Sequence, residues 1–392
     1  MTIEVPKYFL EKIKRVKEEG LTELDLSSRK NRDKGLTAIP LEIFELQELK
    51  RINLSYNNLS EIPENIANLQ KLKYLDLSYN RFTKFPSAIG YLKKLNYLNL
   101  SGNKIQNITK DIGNFSELNS LYLSNNVLKK LPPEIGKLIN LKSINLRHNR
   151  LLEINPAIDS IVNLTSLDVS YNKLSQIPAT IGKNRELISL DLSFNQLNEL
   201  PTTIHKLHNL SYLYLERNLF IQFPKAILEN INLSSLNLSY NKISNIPKEI
   251  ANLKKLTALN LSHNKLGEFP IEIVELENLN FLDLSFNSKI NKVSSDIVKL
   301  RNLTDLSLRQ NQISEFPREI SQLKKLNFLD LSNNQITQIT PDINNIKNLK
   351  KLYLQGNKIY YLADEIYEKL SAIEQLKIFT RNESIKNPRK LN

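Results

Sequence analysis

Leu256–Leu279 reads LTALNLSHNKLGEFPIEIVELENL. Its apolar residues follow two periods. Leu259 and Leu261 alternate with polar neighbours, as in a short strand, whereas Ile273 and Leu276 stand one helical turn apart. Asn264 lies between the two regimes, where the chain must turn. The same pattern, L-x-x-L-x-L-S-x-N-x-L-x-x-[IF]-P-x-x-I-x-x-L-x-x, fills most of the chain. The asparagine recurs at Asn57 and every 23 residues to Asn287, then at Asn311, Asn334 and Asn357. Only the step from Asn287 to Asn311 spans 24 residues. An earlier copy begins at Leu21 and carries Arg29 at the asparagine position. A unit this short cannot close its own core, so each copy must complete its neighbour, and the expected architecture is an α/β solenoid.

Outward from the repeats, residues 1–20 read as a capping helix. Pro6 suits its first turn, Phe9, Leu10, Ile13 and Val16 form one stripe, and Gly20 suits its end. The solenoid is expected over 21–370. The first copy is longer than the rest, its extra residues falling in the charged stretch Arg29–Gly35. Residues 371–392 read as a degenerate last strand around Ile373, Leu376 and Ile378, followed by a polar, basic tail from Arg381. Within each unit the leucine-rich segment predicts a strand, [IF]-P an extended limb, and I-x-x-L a turn of helix or 3-10 structure. The side-chain amide of the asparagine is suited to backbone groups left over at the turn, and repetition should make these bonds a ladder.

The composition narrows the function classes. Cysteine is absent from the 392 residues, which removes disulfides, thiolate metal sites and cysteine nucleophiles. The opening MTIEVPKYFLEKIKRVKEEG has no uninterrupted apolar core and does not read as a signal peptide. No apolar run approaches the ~20 residues that span a bilayer. Sequons such as Asn99-Leu100-Ser101 and Asn260-Leu261-Ser262 would carry sugars across the strands in a eukaryotic secretory pathway. A reducing, sugar-free compartment, the cytosol, fits best. The net charge of +13 raises nucleic acid as a partner. Lysine pairs such as Lys93-Lys94, Lys254-Lys255 and Lys324-Lys325 sit on the returning limb all along the chain, so a solvated surface is favoured over a phosphate-tracking groove.

Over roughly Leu21–Leu370 the repeat resembles the 23-residue intracellular leucine-rich repeats of Ras-group and Roco proteins and of bacterial leucine-rich repeat proteins. The opening GLTELDLSSRK…GLTAIPLEIFEL is similar to bacterial Roco-type openings. The resemblance implies a leucine-rich repeat horseshoe, with a parallel β-sheet on the concave face and short helical or 3-10 turns on the convex one. It also implies recruitment of a partner protein, such as a small GTPase or another signalling protein. The chain departs from Roco proteins in lacking G-x-x-x-x-G-K-[ST]. It departs from the bacterial ubiquitin-ligase effectors in lacking a catalytic cysteine.

No catalytic set, cofactor or metal site is expected. His205 and His208 lie on the returning limb without a third ligand nearby, and Asp76, Asp168, Asp191, Asp283 and Asp330 follow the repeat's own consensus. Departures from the consensus on the strand face are more telling. Repeat six brings Arg147, His148 and Arg150 around Asn149, and repeat nine brings Tyr212, Tyr214, Glu216 and Arg217. Tyr122 in repeat five joins them, as do Arg309, Lys351, Tyr353 and Gln355 further along. Tyr and Arg on a rigid face are the residue types enriched at binding hot spots. Tyr56, Tyr79, Tyr171, Phe194, Tyr240 and Phe286 form an aromatic row, either a contact surface or rings that stack over the strand ends. Asn184 and Asn230 replace an inward leucine, which predicts remodelled short helices there. The extra residue near Ser288 predicts a local kink. The leading expectation is a cytosolic, non-enzymatic scaffold that grips a protein across repeats five to nine. A secreted adhesin or effector, and a binder of anionic surfaces or nucleic acid, are the alternatives.

Overall fold

The computed structural model describes residues 6–29, 35–359, 362–371 and 373–377. The charged insertion of the first repeat, apart from Arg29 and Gly35, and the basic tail lie outside the described residues, as does Ile378.

The capping helix, α1, spans Lys7–Glu18 and buries Phe9, Ile13 and Val16. Leu10 does not join that stripe: it is 40% exposed, one position round the helix from Phe9. The helix closes as the glycine predicts. Gly20 has φ +62°, and the Leu21 N–H donates to the Val16 carbonyl at 3.0 Å.

Each repeat then contributes one three-residue strand. In the first part of the chain these are β1 Glu23–Asp25, β2 Arg51–Asn53, β3 Tyr74–Asp76, β4 Tyr97–Asn99, β5 Ser120–Tyr122, β6 Ser143–Asn145, β7 Ser166–Asp168 and β8 Ser189–Asp191. In the second they are β9 Tyr212–Tyr214, β10 Ser235–Asn237, β11 Ala258–Asn260, β12 Phe281–Asp283, β13 Asp305–Ser307, β14 Phe328–Asp330, β15 Lys351–Tyr353 and β16 Gln375–Lys377. The described residues cluster into two compact units. The N-terminal unit runs to Gln196 and includes Leu200–Leu210; the C-terminal unit is Leu197–Glu199 with the chain from Ser211. Within each, neighbouring strands are parallel and pair in repeat register, Leu167 beside Leu190 and Leu236 beside Leu259. The middle residue points inward, and the first and third point to the strand face. β16 pairs with β15, Leu376 opposite Leu352, so the degenerate last strand forms.

Stacking makes the core. In repeat six, Leu141, Ile144, Leu146, Leu151, Ile154, Ile158 and Ile161 are all buried. The asparagine ladder holds the turns together. Asn149 Nδ2 donates to the Leu146 carbonyl at 2.9 Å and to the Leu123 carbonyl of the preceding turn at 3.0 Å. Its Oδ1 accepts from the Leu128 N–H at 3.0 Å. One side chain thus satisfies three backbone groups on two turns, which is why the position tolerates so little change. The inserted residue interrupts this pattern. Ser288 takes φ +53°, and Asn311 keeps its Nδ2 bonds to Leu284 and Leu308 while its Oδ1 has no donor. A shorter second ladder runs before the strands, which the sequence did not suggest: Asn140 donates to Ser116 O and Asn163 to Ile139 O, each at 2.8 Å.

The returning limb is extended to the proline and then makes a 3-10 turn, as in Pro133–Lys137 with Ile135 inside. The last limb differs, closing with the α-helix α2, Asp364–Ser371. The remodelling expected at Asn184 does not occur. Ala179–Lys183 keeps its five-residue turn, because Asn184 Nδ2 finds the carbonyls of Ile158 at 3.0 Å and Ile161 at 2.9 Å. At Asn230 the turn does shrink, to Lys225–Ile227.

Candidate binding faces of the two units

The residue before each ladder asparagine lies in left-handed backbone: Tyr56, Tyr79, His148, Tyr171, Phe194, Arg217, Tyr240, His263 and Phe286 all have φ between 50° and 58°. That conformation costs a non-glycine residue about 1–2 kcal/mol. What the chain gains is one more rung of the parallel ladder, as when the Tyr171 N–H donates to the Ser193 carbonyl at 3.0 Å. The rings then pile up. Tyr56 and Tyr79 stack at 4.4 Å, Tyr171 and Phe194 at 3.8 Å, Tyr240 and His263 at 3.8 Å, and His263 and Phe286 at 4.0 Å. Aromatic pairs return about 0.5–1.5 kcal/mol each beyond their buried area, comparable to the backbone strain. The aromatic row is therefore architectural first, and what it offers outward is ring edges rather than ring faces.

In the N-terminal unit the departures of repeat six form a clamp. The Arg147 guanidinium lies 4.2 Å above the Tyr171 ring, and its Nη1 donates to Ser170 Oγ at 3.1 Å. Ser170 in turn donates to Asp168 at 2.6 Å, and His148 stacks on Tyr171 at 4.6 Å. Beside Asp168, Asp191 accepts from the Ser193 N–H and hydroxyl. Burial raises the Asp191 carboxyl above its usual range; the Ser193 bonds oppose that, Asp168 adds to it, and Arg147 opposes it. Arg150 stands apart, beyond the turn, with its N–H on the Leu128 carbonyl at 2.9 Å. Lys104 and Lys173 hold the same place in their repeats, so Arg150 is no departure from the pattern.

Tyr122 belongs to a second group that sequence reasoning passed over. Arg51 lies 3.5 Å above the Tyr74 ring, Tyr74 stacks on Tyr97 at 4.1 Å, and Tyr97 meets Tyr122 at 5.2 Å. Burial, then the Tyr74 hydroxyl hydrogen-bonded to it, pushes the Tyr97 phenol far above its ordinary value of 10.0. The signal was present: Arg51, Tyr74 and Tyr97 all occupy the first strand position. It was masked because an aromatic there looked like one of the repeat's ordinary choices. Past Tyr122 the same column turns flat, with Ser120, Ser143, Ser166 and Ser189.

In the C-terminal unit, Tyr212 is 43% exposed and Tyr214 sits opposite Asn237. Glu216 accepts from Asn237 Nδ2. The Arg217 guanidinium lies 4.0 Å above Tyr240, which begins the Tyr240–His263–Phe286 stack, and Arg309 approaches Phe286 from the other end at 5.6 Å. Burial lowers the pKa of His263 from 6.5; Asp283 opposes the shift and Arg217 reinforces it. Lys377 lies 5.3 Å above the Tyr353 ring, whose hydroxyl donates to Gln375 at 3.0 Å. Among the described residues, no group of three or more His, Asp or Glu is placed to hold a metal ion, and no helix is long and apolar enough to cross a membrane.

This stack of strand, ladder asparagine and 3-10 turn defines a class. The family model described as leucine rich repeat matches residues 19–82, 47–105, 116–174, 162–220 and 224–266, and that of a leucine-rich repeat region matches 282–391. The chain belongs to the leucine-rich repeat family. It is similar to a solved leucine-rich repeat protein of Leptospira interrogans, with 35% identity, 91% of this chain and 95% of that one covered, and a TM-score of 0.76. An internalin of Listeria monocytogenes is 25% identical, over 87% of this chain and 93% of that one, at a TM-score of 0.73. Toll, solved in the Toll–Spätzle complex of Drosophila, is 25% identical over 91% of this chain and 53% of its own, at 0.74. Comparison with curated protein sequences finds no match.

Proposed function

We propose that the strand faces bind a partner protein and that the chain works as a non-enzymatic scaffold. One observation carries the reading: arginines lie over tyrosine rings, Arg147 4.2 Å from the Tyr171 centroid in one unit and Arg217 4.0 Å from that of Tyr240 in the other. A guanidinium fixed in this way loses little entropy on meeting a carboxylate or a carbonyl, and Tyr and Arg dominate interface hot spots. The rings show edges, so a folded protein surface suits the faces better than a sugar or base that needs an open ring to stack on. Toll, similar in fold, is in complex with Spätzle in its structure, which agrees with a protein ligand. A signalling role and the cytosol remain the preferred setting on the chemistry of the sequence, which has no cysteine.

The test is capture of a partner from the source cells by the full chain, with two double variants beside it. Arg147→Ala with Tyr122→Ala alters the N-terminal face, and Tyr214→Ala with Arg217→Ala the C-terminal one. The expected result is loss of the same captured protein in at least one of them, with melting shifted by less than about 4 °C. Retention in both removes the strand faces from consideration. Fractionation of the same cells, with the protein found only in the medium or envelope, would overturn the cytosolic setting.

A further inference from the structure

The chain's excess positive charge is not spread evenly once the turns are stacked. From repeat three to repeat fourteen, most of the first, third and fourth residues after the ladder asparagine are exposed, on the side where the chain leaves the strands. In repeats three to six these positions bring together Arg81, Lys84, Lys104, Lys129, Lys130 and Arg150, all exposed. Successive turns put them in register, since the N–H groups of Arg81 and Lys104 donate to the carbonyls of Leu59 and Phe82, each at 2.8 Å. Parallel turns repeat about every 4.8 Å at the strands. On these columns no acid stands between Glu61 and Glu153. The lysine pairs of the returning limb, conspicuous in the sequence, are a different set.

A groove opens inside this cationic rail. It holds about 370 Å³ between the third and fourth repeats, within the ~300–1,000 Å³ range of small-ligand sites. Lys84 stands on its wall with the neutral groups of Thr83, Ser87, Gln106 and Asn107, over a floor made by Phe85. Thr109 completes the wall, its hydroxyl donating to Asp111 at 2.8 Å and lying 3.4 Å from that of Ser87. The C-terminal unit supplies a control. The equivalent groove between its tenth and eleventh repeats holds about 190 Å³, and Glu268 and Glu272 line it, Glu268 in the column of Lys84. Stacking makes such grooves, and of these two the first is cationic and the second acidic.

We propose that this edge of the N-terminal unit binds an acidic polysaccharide. Its sulfate or carboxylate groups follow the Lys and Arg rail, and one sugar ring sits in the groove against the hydroxyls and amides. Single-stranded nucleic acid fits less well, because it needs aromatic faces to stack its bases and Phe85 is only 3% exposed. The site is separate from the strand faces, so it stands or falls independently of the protein-binding reading.

The experiment titrates the full chain with dextran sulfate, neutral dextran and oligothymidylate at about 50 and 200 mM salt. Dextran sulfate should bind, more weakly at the higher salt, and neutral dextran should not. The variant Lys84→Glu/Lys104→Glu/Lys129→Glu should lose about tenfold or more in affinity, as expected when several ionic contacts are reversed. The same charge change on the other unit, Lys248→Glu/Lys265→Glu/Lys242→Glu, should leave binding near the parent value. Thr83→Ala with Gln106→Ala should weaken dextran sulfate and spare oligothymidylate. Absence of dextran sulfate binding, an equal loss from both charge reversals, or oligothymidylate bound as tightly as dextran sulfate would each overturn the proposal.

Discussion

Asn149 and Asn311 hold the same place in the repeat and differ by one hydrogen bond, and that difference sets their expected cost. Replacing Asn149 by alanine strands the Leu128 N–H, at about 1–3 kcal/mol for a buried group left unpaired, while the Leu123 and Leu146 carbonyls keep the Nδ2 donors of Asn126 and Asn172. Asn311→Ala should cost about 1 kcal/mol less, because its Oδ1 already lacks a donor. Equal losses in chemical denaturation would mean that the missing bond is immaterial. Asp191 carries a second residue-scale expectation. Its carboxyl pKa is raised in the folded state above 3.8, chiefly by burial. The folded chain therefore binds that proton more tightly than the unfolded one. The contribution is full below pH 3.8 and is lost as pH rises through the folded value. Asn237 and Asn260 fill the same position in other repeats and accept from Ser239 and Ser262, each through backbone and hydroxyl. Asp191→Asn should thus be at least as stable as the parent at pH 7, and any advantage should shrink at pH 4, where the parent carboxyl takes up its proton. Melting curves at the two values decide it; a variant weaker at pH 7 would contradict the burial argument.

At the scale of the element, the 3-10 turns pack so closely that a glycine sometimes has no substitute. A methyl group on Gly182 would sit 2.5 Å from the Thr203 carbonyl oxygen, and one on Gly136 would sit 2.6 Å from that of Ala157. Both obstacles are backbone, so the neighbouring turn must move. Gly182→Ala should destabilise by about 1–3 kcal/mol, the usual cost of overpacking. Gly267 meets nothing within 4 Å, and Gly267→Ala should be neutral or stabilising. A Gly182→Ala protein with unchanged denaturation midpoint would show that the turns are looser than drawn. Elements of this kind were legible in the sequence because the period of strand and asparagine is written fourteen times, and most copies add the proline before the short helix. What was not legible depended on partners in the next turn. Asn184 looked like a burial penalty, yet its Nδ2 reaches two carbonyls of the preceding repeat, and only its buried Oδ1 lacks a donor. Leu10 looked like part of the helix stripe, yet it faces solvent. The aromatic row could not be assigned from spacing alone, since stacking and exposure are both compatible with one ring per repeat. Arg51, Tyr74 and Tyr97 were hidden for the opposite reason, resembling the consensus they sit in.

For the molecule as a whole, the consequence of a repeat that touches only its neighbours is that damage stays local. Each turn completes its core and its asparagine bonds with the turns on either side, so stability is close to a sum of unit and nearest-neighbour contributions. The Asn149→Ala change removes bonds to the turn of Leu123 and leaves the distant ladder bonds of Asn334, to Leu308 and Leu331, untouched. Hydrogen exchange read peptide by peptide should therefore rise in repeats five to seven and stay at the parent level in repeats thirteen to fifteen, because sub-global opening follows cooperative units. One further amide tests the same logic without mutation. Leu266, Ile313 and Ile336 each donate their N–H to a ladder asparagine of the following turn, whereas the Oδ1 that would serve Ile290 has no donor. The Ile290 amide should exchange faster than those three. Faster exchange spread evenly over the chain in Asn149→Ala, or an Ile290 amide as protected as Ile313, would point to a single cooperative body. In such a body a perturbation at one strand face would be felt at the other. With local opening, the clamp of Arg147 and the stack begun by Arg217 can be altered one at a time, which is what the paired capture variants rely on.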